Sequence, residues 1–347
     1  MKTAILGAGT FGTALANAIN GETKFDESQP LNNVNPEPDV TLFTIETDVV
    51  EDINKNRKNS KYFPNKKLPK YIKATSNFAD IADAELVFIA IPSSAIADFF
   101  AKHRFKKGTI LVNGAKGFAH DDVLISTYIS LKQPDCNVCS MKGASFANEI
   151  IFEIPTAFTL ACESRNTYEI IRSALRQDLI VTEYSPDINS VEYVSLIKNV
   201  YAIVMGIVDA YYNSPNVRFL VFTKILNEIR WLMKHFNANP ETLFNYCGVG
   251  DLCLTALNDL SRNRTLGLLI GKGFSDASIT NNVTLEGVCA LNNILRHIPE
   301  NEHSKFPIMQ QMHQLLHNKT SVKSFIHRII FTENKKAPLR LQFQNHH

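Results

Sequence analysis

The hexapeptide Gly7-Ala8-Gly9-Thr10-Phe11-Gly12 follows directly on the short apolar run Thr3-Ala4-Ile5-Leu6. It leads into the alanine-rich stretch Thr13 to Asn20, read as a helix. A buried strand that turns on glycines into a helix leaves few architectures open. Gly7 makes the tight turn, Gly9 lets the main chain approach a pyrophosphate, and Gly12 lets the helix pack close to the strand. Free N–H groups and the positive dipole end at the helix start then face the phosphates. The spacing predicts an α/β fold that opens with a Rossmann-type dinucleotide-binding domain. A glycine-rich turn in a non-binding α/β domain is the plainer alternative.

Such a domain needs an acidic residue at the end of its second strand, to accept from the adenosine ribose. Val40-Thr41-Leu42-Phe43-Thr44-Ile45-Glu46 reads as that strand. Glu46 would accept from a ribose hydroxyl and repel a 2′-phosphate, which favours NAD over NADP. An ordinary strand-end carboxylate is the alternative. Gly21 to Asp39, rich in Asn, Pro, Asp and Glu, reads as a polar surface loop between helix and strand.

More α/β units follow. Glu85 to Ile91 is a buried strand closed by Pro92-Ser93-Ser94. Thr109 to Asn113 is another, followed by Gly114-Ala115-Lys116-Gly117-Phe118. Val138 to Met141 leads into Lys142-Gly143-Ala144-Ser145-Phe146-Ala147-Asn148-Glu149. Each loop falls at the carboxyl end of a strand, where open α/β sheets bind ligands. Lys116 beside its glycines is either an exposed turn lysine or an ammonium that meets a phosphate or carbonyl.

The pattern changes at Ser185-Pro186-Asp187, where strand-like runs end and long helices begin. The domain boundary is set at 186, giving 1–186, 187–332 and a tail of 333–347. Asp187 to Tyr212 reads as one helix, apolar nearly all round and therefore central. Lys198-Asn199 sits in its middle. A buried ammonium is costly unless paired or functional, and burial lowers its pKa toward the range of a general acid. A lysine snorkelling along a partly polar flank is the alternative. Val217 to Phe236 is a second helix, with Trp231 expected in the core. Asn239-Pro240-Glu241-Thr242 marks another helix start. Asp251 and Thr255, four apart, share a face if their segment is helical. In Ser261-Arg262-Asn263-Arg264 a planar guanidinium fork and an amide suit phosphate oxygens. A helix end contacting its own carbonyls is the alternative.

Composition narrows the partners. The chain of 347 residues is 45% hydrophobic and 20% charged, with a net charge of +2. It can bury a full core, and that charge balance argues against a general nucleic-acid grip. Cys136 and Cys139 form a lone C-x-x-C with no second pair, so plain thiols are expected and no metal site. No signal peptide and no uncharged apolar run of membrane-spanning length is read, so a reduced, cytoplasmic setting is expected.

In order, these residues resemble the NAD-dependent glycerol-3-phosphate dehydrogenase family. The likeness runs from Gly7 to about Ile330. It takes in the glycine turn, Asn59-Ser60-Lys61-Tyr62-Phe63-Pro64 with Leu68-Pro69, Lys116-Gly117, Gly143 to Ala147 with Glu149, and Lys198-Asn199-Val200. It continues through Pro240-Glu241-Thr242, Gly250-Asp251-Leu252, Ser261 to Arg264 and Glu286-Gly287-Val288. The resemblance implies a Rossmann-type domain plus an all-α substrate domain, with the active site between them. It implies hydride transfer between glycerol 3-phosphate and dihydroxyacetone phosphate, in a homodimer. Lys198 matches the family's catalytic lysine, with Lys116, Asp251 and Thr255 as its companions. Asn199, Arg262 and Asn263 match substrate-phosphate contacts, and Ser145 lies in the matched substrate loop. Gly7, Gly9, Thr10, Phe11, Gly12, Glu46 and Pro92 fall at cofactor positions, as do Lys116, Ala147, Arg262 and Glu286.

The chain also departs from the family. Ala210-Tyr211-Tyr212-Asn213-Ser214-Pro215-Asn216 stands where flexible glycines are usual, Ala144 replaces a proline, and Ile45 stands where many bacterial members carry an arginine. Two other readings follow from these differences: a dehydrogenase of another phosphorylated polyol, and a nicotinamide-binding sensor or interaction protein with vestigial catalysis.

Overall fold

The computed structural model describes residues 1–19, 38–119, 123–274 and 286–331. The polar insert as far as residue 37 and the tail 333–347 lie outside the described residues. In chain order the first half runs β1 (Lys2–Leu6), α1 (Thr10–Asn17), β2 (Asp39–Phe43), α2 (Thr47–Asn56), β3 (Lys58–Asn59), β4 (Phe63–Lys67) and β5 (Ile72–Thr75). It continues with β6 (Leu86–Ile89), α3 (Ser93–Lys102), β7 (Ile110–Asn113), α4 (Ile125–Lys132) and β8 (Asn137–Lys142). Then come α5 (Ala147–Ile151), β9 (Thr156–Ala161), α6 (Arg165–Ala174) and β10 (Ile180–Ser185). The second half holds α7 (Ile188–Tyr212), α8 (Pro215–His235), α9 (Asp251–Leu257), α10 (Arg262–Gly271), α11 (Glu286–Arg296), α12 (Pro307–Leu316) and α13 (Val322–Phe331).

Eight strands form one sheet in the order β10-β9-β8-β7-β6-β1-β2-β5, and β3 and β4 form a separate hairpin. Neighbours in the large sheet are parallel except β8 and β9. The winding reverses between β1 and β6, and ligands bind in the crevice outside the carboxyl ends of strands at such a reversal. β1 and β6 pair Leu6 with Ile89, so the glycine turn after β1 opens beside Ala90 and Ile91 after β6. One face of the sheet is covered by Leu15, Ile53, Ile151 and Ile171 from four helices. The other is covered by Ile96, Phe100, Ile125 and Ile129 from α3 and α4. Strands buried on both faces read as continuous apolar runs, which is why Leu86-Val87-Phe88-Ile89 does not alternate.

A third core surrounds α7, which is buried along almost its whole length. By length and composition α7 could cross a membrane, yet it is the interior helix around which the rest of the second half packs.

Several boundaries differ from those read in the sequence. Gly9, extended at φ −72° and ψ −169°, caps α1, so the helix starts at Thr10 and Gly12 lies inside it. β2 ends at Phe43, and Glu46 is the residue before α2. Trp231 is only half-buried, packed on the rim of the third core. Asn239 does cap a helical start, its side chain accepting from Glu241 N, but a tight 3-10 turn over Pro240–Phe244 follows. A wide turn over Tyr246–Gly250 then leads into α9. All six cysteines are free, Cys139 within β8 and Cys136 before it.

Candidate active site

Close approach of main chain to main chain builds the cofactor end. Gly7 has φ +107°, in the region that favours glycine, and a Cβ there would strike the Ala90 carbonyl. A Cβ on Gly12 would strike the Gly7 carbonyl, so α1 lies directly against the turn. Gly9 is different: a Cβ there would meet nothing. The first turn of α1 has no capping side chain and no acidic residue. An open space in front of uncapped N–H groups fits a dinucleotide pyrophosphate. Asn59 braces the turn from behind, its amide donating to Ala8 O and Thr13 Oγ1, each at 2.8 Å. Thr10 and Phe11 form the first turn of α1, and the Phe11 ring lies beside Gly114 after β7. Pro92 precedes α3, and Ser93 stands over Gly117. Ala147 begins α5, which packs on α1. Glu46 sits where the ribose is expected, but its carboxylate already meets Lys61 Nζ and accepts from Tyr62 OH at 3.0 Å.

The candidate reactive centre is assembled from three distant segments. Lys198 projects from the middle of α7, with its side chain 3% exposed, and its ammonium pairs with Asp251 at the start of α9. Lys198 Nζ also donates to Thr255 Oγ1 at 2.8 Å, and Thr255 Oγ1 donates to Asp251 O at 2.7 Å. α9 thus presents Asp251 and Thr255 on one face, one turn apart. Lys116, from the loop after β7, reaches the other Asp251 oxygen at 3.2 Å. Two ammoniums therefore share one carboxylate that is 1% exposed. Burial lowers the Lys198 pKa to about 7; Asp251 opposes that shift and Lys116 adds to it. Burial presses on Lys116 too, but Asp251, Lys198 and Glu286 together outweigh it, and that lysine stays above its ordinary value.

The next residue on α7 opens the third part of the site. Asn199 Nδ2 donates to Glu286 Oε2 at 3.3 Å, and Asn263 Oδ1 accepts from Gly287 N at 3.2 Å. A Cβ on Gly287 would crowd both Asn199 O and Asn263 Oδ1, so the starts of α10 and α11 close on α7 here. Arg262 is exposed at the first position of α10 and has no hydrogen bond or ion pair among the described residues. Its guanidinium fork is available to an anion. Arg264 is not: its guanidinium is spent inside the protein on Asp209, Asp259 and Ala256 O. The two arginines read alike in sequence, but a helix turns about 200° between i and i+2 and sends them to opposite sides. Ser145 Oγ donates to its own loop, at Gly143 O. Tyr211 lies thirteen residues beyond Lys198, roughly 20 Å along α7. With Tyr212 it lines a surface hollow against Lys323, Ser324, His327 and Arg328.

A buried group that the sequence reading passed over stands behind this centre. Glu192, Asn113, Ser126, Ser140 and Lys142 meet where α7 crosses the ends of β7 and β8. The available signal was Lys142, a charged residue at the end of a buried strand. Among the described residues no cluster of His, Cys, Asp and Glu could hold a metal ion.

Two family descriptions match the chain in tandem. Residues 2–168 match the NAD-dependent glycerol-3-phosphate dehydrogenase N-terminus, and residues 187–327 match the C-terminus of the same family. A glycerol-3-phosphate dehydrogenase (NAD(P)+) of Neorickettsia sennetsu is 30% identical over 85% of this chain and 85% of its own length. One from Methanothermobacter thermautotrophicus is 30% identical over 94% and 96%. The crystal structure of glycerol-3-phosphate dehydrogenase from Coxiella burnetii superposes with a TM-score of 0.80 at 26% identity, covering 95% of this chain and 98% of that one. The glycine turn and the lysine-bearing central helix thus come together in one polypeptide, which belongs to the NAD-dependent glycerol-3-phosphate dehydrogenase family.

Proposed function

We propose that the protein interconverts sn-glycerol 3-phosphate and dihydroxyacetone phosphate with NAD(H), and that Lys198 moves the proton. The observation that carries this reading is the buried Lys198–Asp251 pair flanked by Lys116. When bound, the nicotinamide supplies or accepts the hydride. Lys198 then gives its proton to the carbonyl oxygen during reduction and takes the hydroxyl proton during oxidation. Asp251 and Thr255 aim the ammonium, and Lys116 offsets the negative charge that grows on the oxygen. Arg262, Asn199 and Asn263 take the substrate phosphate, with Ser145 on the facing loop. Glu286 borders the nicotinamide end. Gly7, Gly9, Thr10, Phe11 and Gly12 would hold the pyrophosphate, with Pro92 and Ala147 at the rim of that site.

Residues 1–186 serve as the cofactor domain and 187–332 as the substrate domain. Glu46 would favour NAD over NADP, though Lys61 partly offsets its charge. A homodimer in the cytoplasm is the setting proposed. The test is NADH oxidation by purified protein with dihydroxyacetone phosphate, with NADPH and a panel of other phosphorylated ketones run beside it. Turnover at about 1 s⁻¹ or more is expected, with Lys198→Ala binding NADH but not turning over. A rate no faster than a blank would sink the proposal.

A further inference from the structure

Glu192 is 4% exposed, yet five polar groups surround its carboxylate. It accepts from Ser126 N at 3.1 Å, Ser126 Oγ at 2.6 Å and Ser140 Oγ at 3.1 Å. The Asn113 amide donates to it as well, and the Lys142 ammonium stands 3.7 Å away. Every one of these partners belongs to the first half of the chain, on β7, α4 and β8, whereas Glu192 belongs to α7. One carboxylate therefore fastens the helix that bears Lys198 to three elements of the other half. Six residues, about 9 Å along the axis, separate Glu192 from Lys198.

The fastening continues beyond the carboxylate. Asn113 is wholly buried and held at three points. Its Nδ2 goes to Glu192, its main-chain oxygen accepts from Lys142 Nζ at 2.7 Å, and its Oδ1 accepts from Ala115 N at 2.9 Å. The residue after Ala115 is Lys116. A buried charge network contributes little net stability compared with apolar packing of the same volume, but it fixes one arrangement. We infer that Glu192 is a positioning residue, which acts through Asn113 and the Ala115 turn to hold Lys116 against Asp251 and Lys198.

This inference rests on the reading above that Lys198 and Lys116 serve the reaction. Asn113, Ser126 Oγ and Ser140 Oγ all bond Oε1, which a glutamine could still supply, so the informative change is Glu192→Ala: it removes the acceptor outright and the link to Asn113 fails. Lys116 then moves off Asp251, and its repulsion no longer presses on Lys198. Three results are expected for Glu192→Ala: kcat falls about tenfold or more, KM for NADH is unchanged within about twofold, and the pH midpoint of turnover rises by about half a unit or more. Asn113→Ala should reproduce the rise, and the double variant should add nothing to either single change. Ser126→Ala removes the hydroxyl donor but keeps the main-chain N–H and leaves the Asn113 link untouched, and should lower the melting temperature with the wild-type midpoint retained.

Titration of the lysine ammoniums by NMR in the unliganded protein reads the same shift without turnover. A wild type inactive on dihydroxyacetone phosphate would thus sink the earlier reading while this measurement still decided the present one. The proposal is overturned if Glu192→Ala keeps the wild-type kcat and midpoint, or loses activity only in step with its melting temperature. Should Glu192→Ala fail to fold, the Asn113→Ala midpoint decides alone.

Discussion

An ammonium that titrates near neutrality has a direction built into its chemistry. Reduction of the ketone needs Lys198 protonated, and oxidation of the alcohol needs it free. With the Lys198 pKa lowered to about 7, kcat/KM for ketone reduction should fall as pH rises through about 7. The oxidation rate should climb across the same window. Steady-state rates in both directions between pH 5.5 and 9 check this, and profiles that bend only above pH 9 would contradict it. Lys198 was legible because a lysine amid helical apolar spacing demands a partner, and Asp251 and Thr255 because their spacing of four implies one face. The two arginines after Ser261 were separable only through the family resemblance, which picks Arg262, since nothing else in the sequence shows that Asp209 and Asp259 claim Arg264. Nor could Glu46 reveal its engagement with Lys61, which depends on the β3–β4 hairpin folding over it.

Two elements carry consequences of their own. α1 meets the glycine turn through Gly12 and faces open space at Gly9. Gly12→Ala should therefore unfold the domain or lower its melting temperature by many degrees. Gly9→Ala should keep the melting temperature and raise KM for NADH on the order of tenfold, about 1.4 kcal/mol of lost binding. If Gly9→Ala melts early with an unchanged KM, the open space is not where the cofactor lies. The second element is α12, whose N-terminus is capped from a distance. Glu228 on α8 accepts from Ile308 N and Met309 N, each at 2.8 Å, and from Tyr201 OH at 2.9 Å.

Burial raises the Glu228 pKa from 4.5 to about 7 despite those donors. Between those values the folded state keeps a proton that the unfolded state has lost. Its contribution is whole below pH 4.5 and gone above about 7, a change of about 3 kcal/mol. Denaturant unfolding from pH 4.5 to 7.5 should show the wild type losing stability more steeply than Glu228→Gln, whereas parallel curves would rule the effect out. The sequence reading located α7 and α8 to within two residues because their periodicity is long. It misjudged α1, β2 and the 240–250 segment because caps and tight turns set their ends, and those depend on main-chain geometry rather than on pattern.

At the scale of the whole molecule, the reversal of winding between β1 and β6 puts the glycine turn, the Lys116 loop and the middle of α7 around one crevice. The order of motifs along the chain carried the family and the two-part architecture, and placed Lys116 with Lys198 and Asp251 between the parts, while the second fastening, Glu192 among Asn113, Ser126 and Ser140, was not legible. The crossing of α7 and α10 adds one more consequence. A Cβ on Gly206 would strike Arg264 O, and one on Gly267 would strike Ile203 O, so the two helices touch spine to spine. The separation between the α7 main chain and that of α10 is therefore gauged by peptide backbone rather than by adjustable side chains. Such a caliper resists retuning: a longer phosphoester would need the spines to part, and no exchange of residues at the tips could lengthen it.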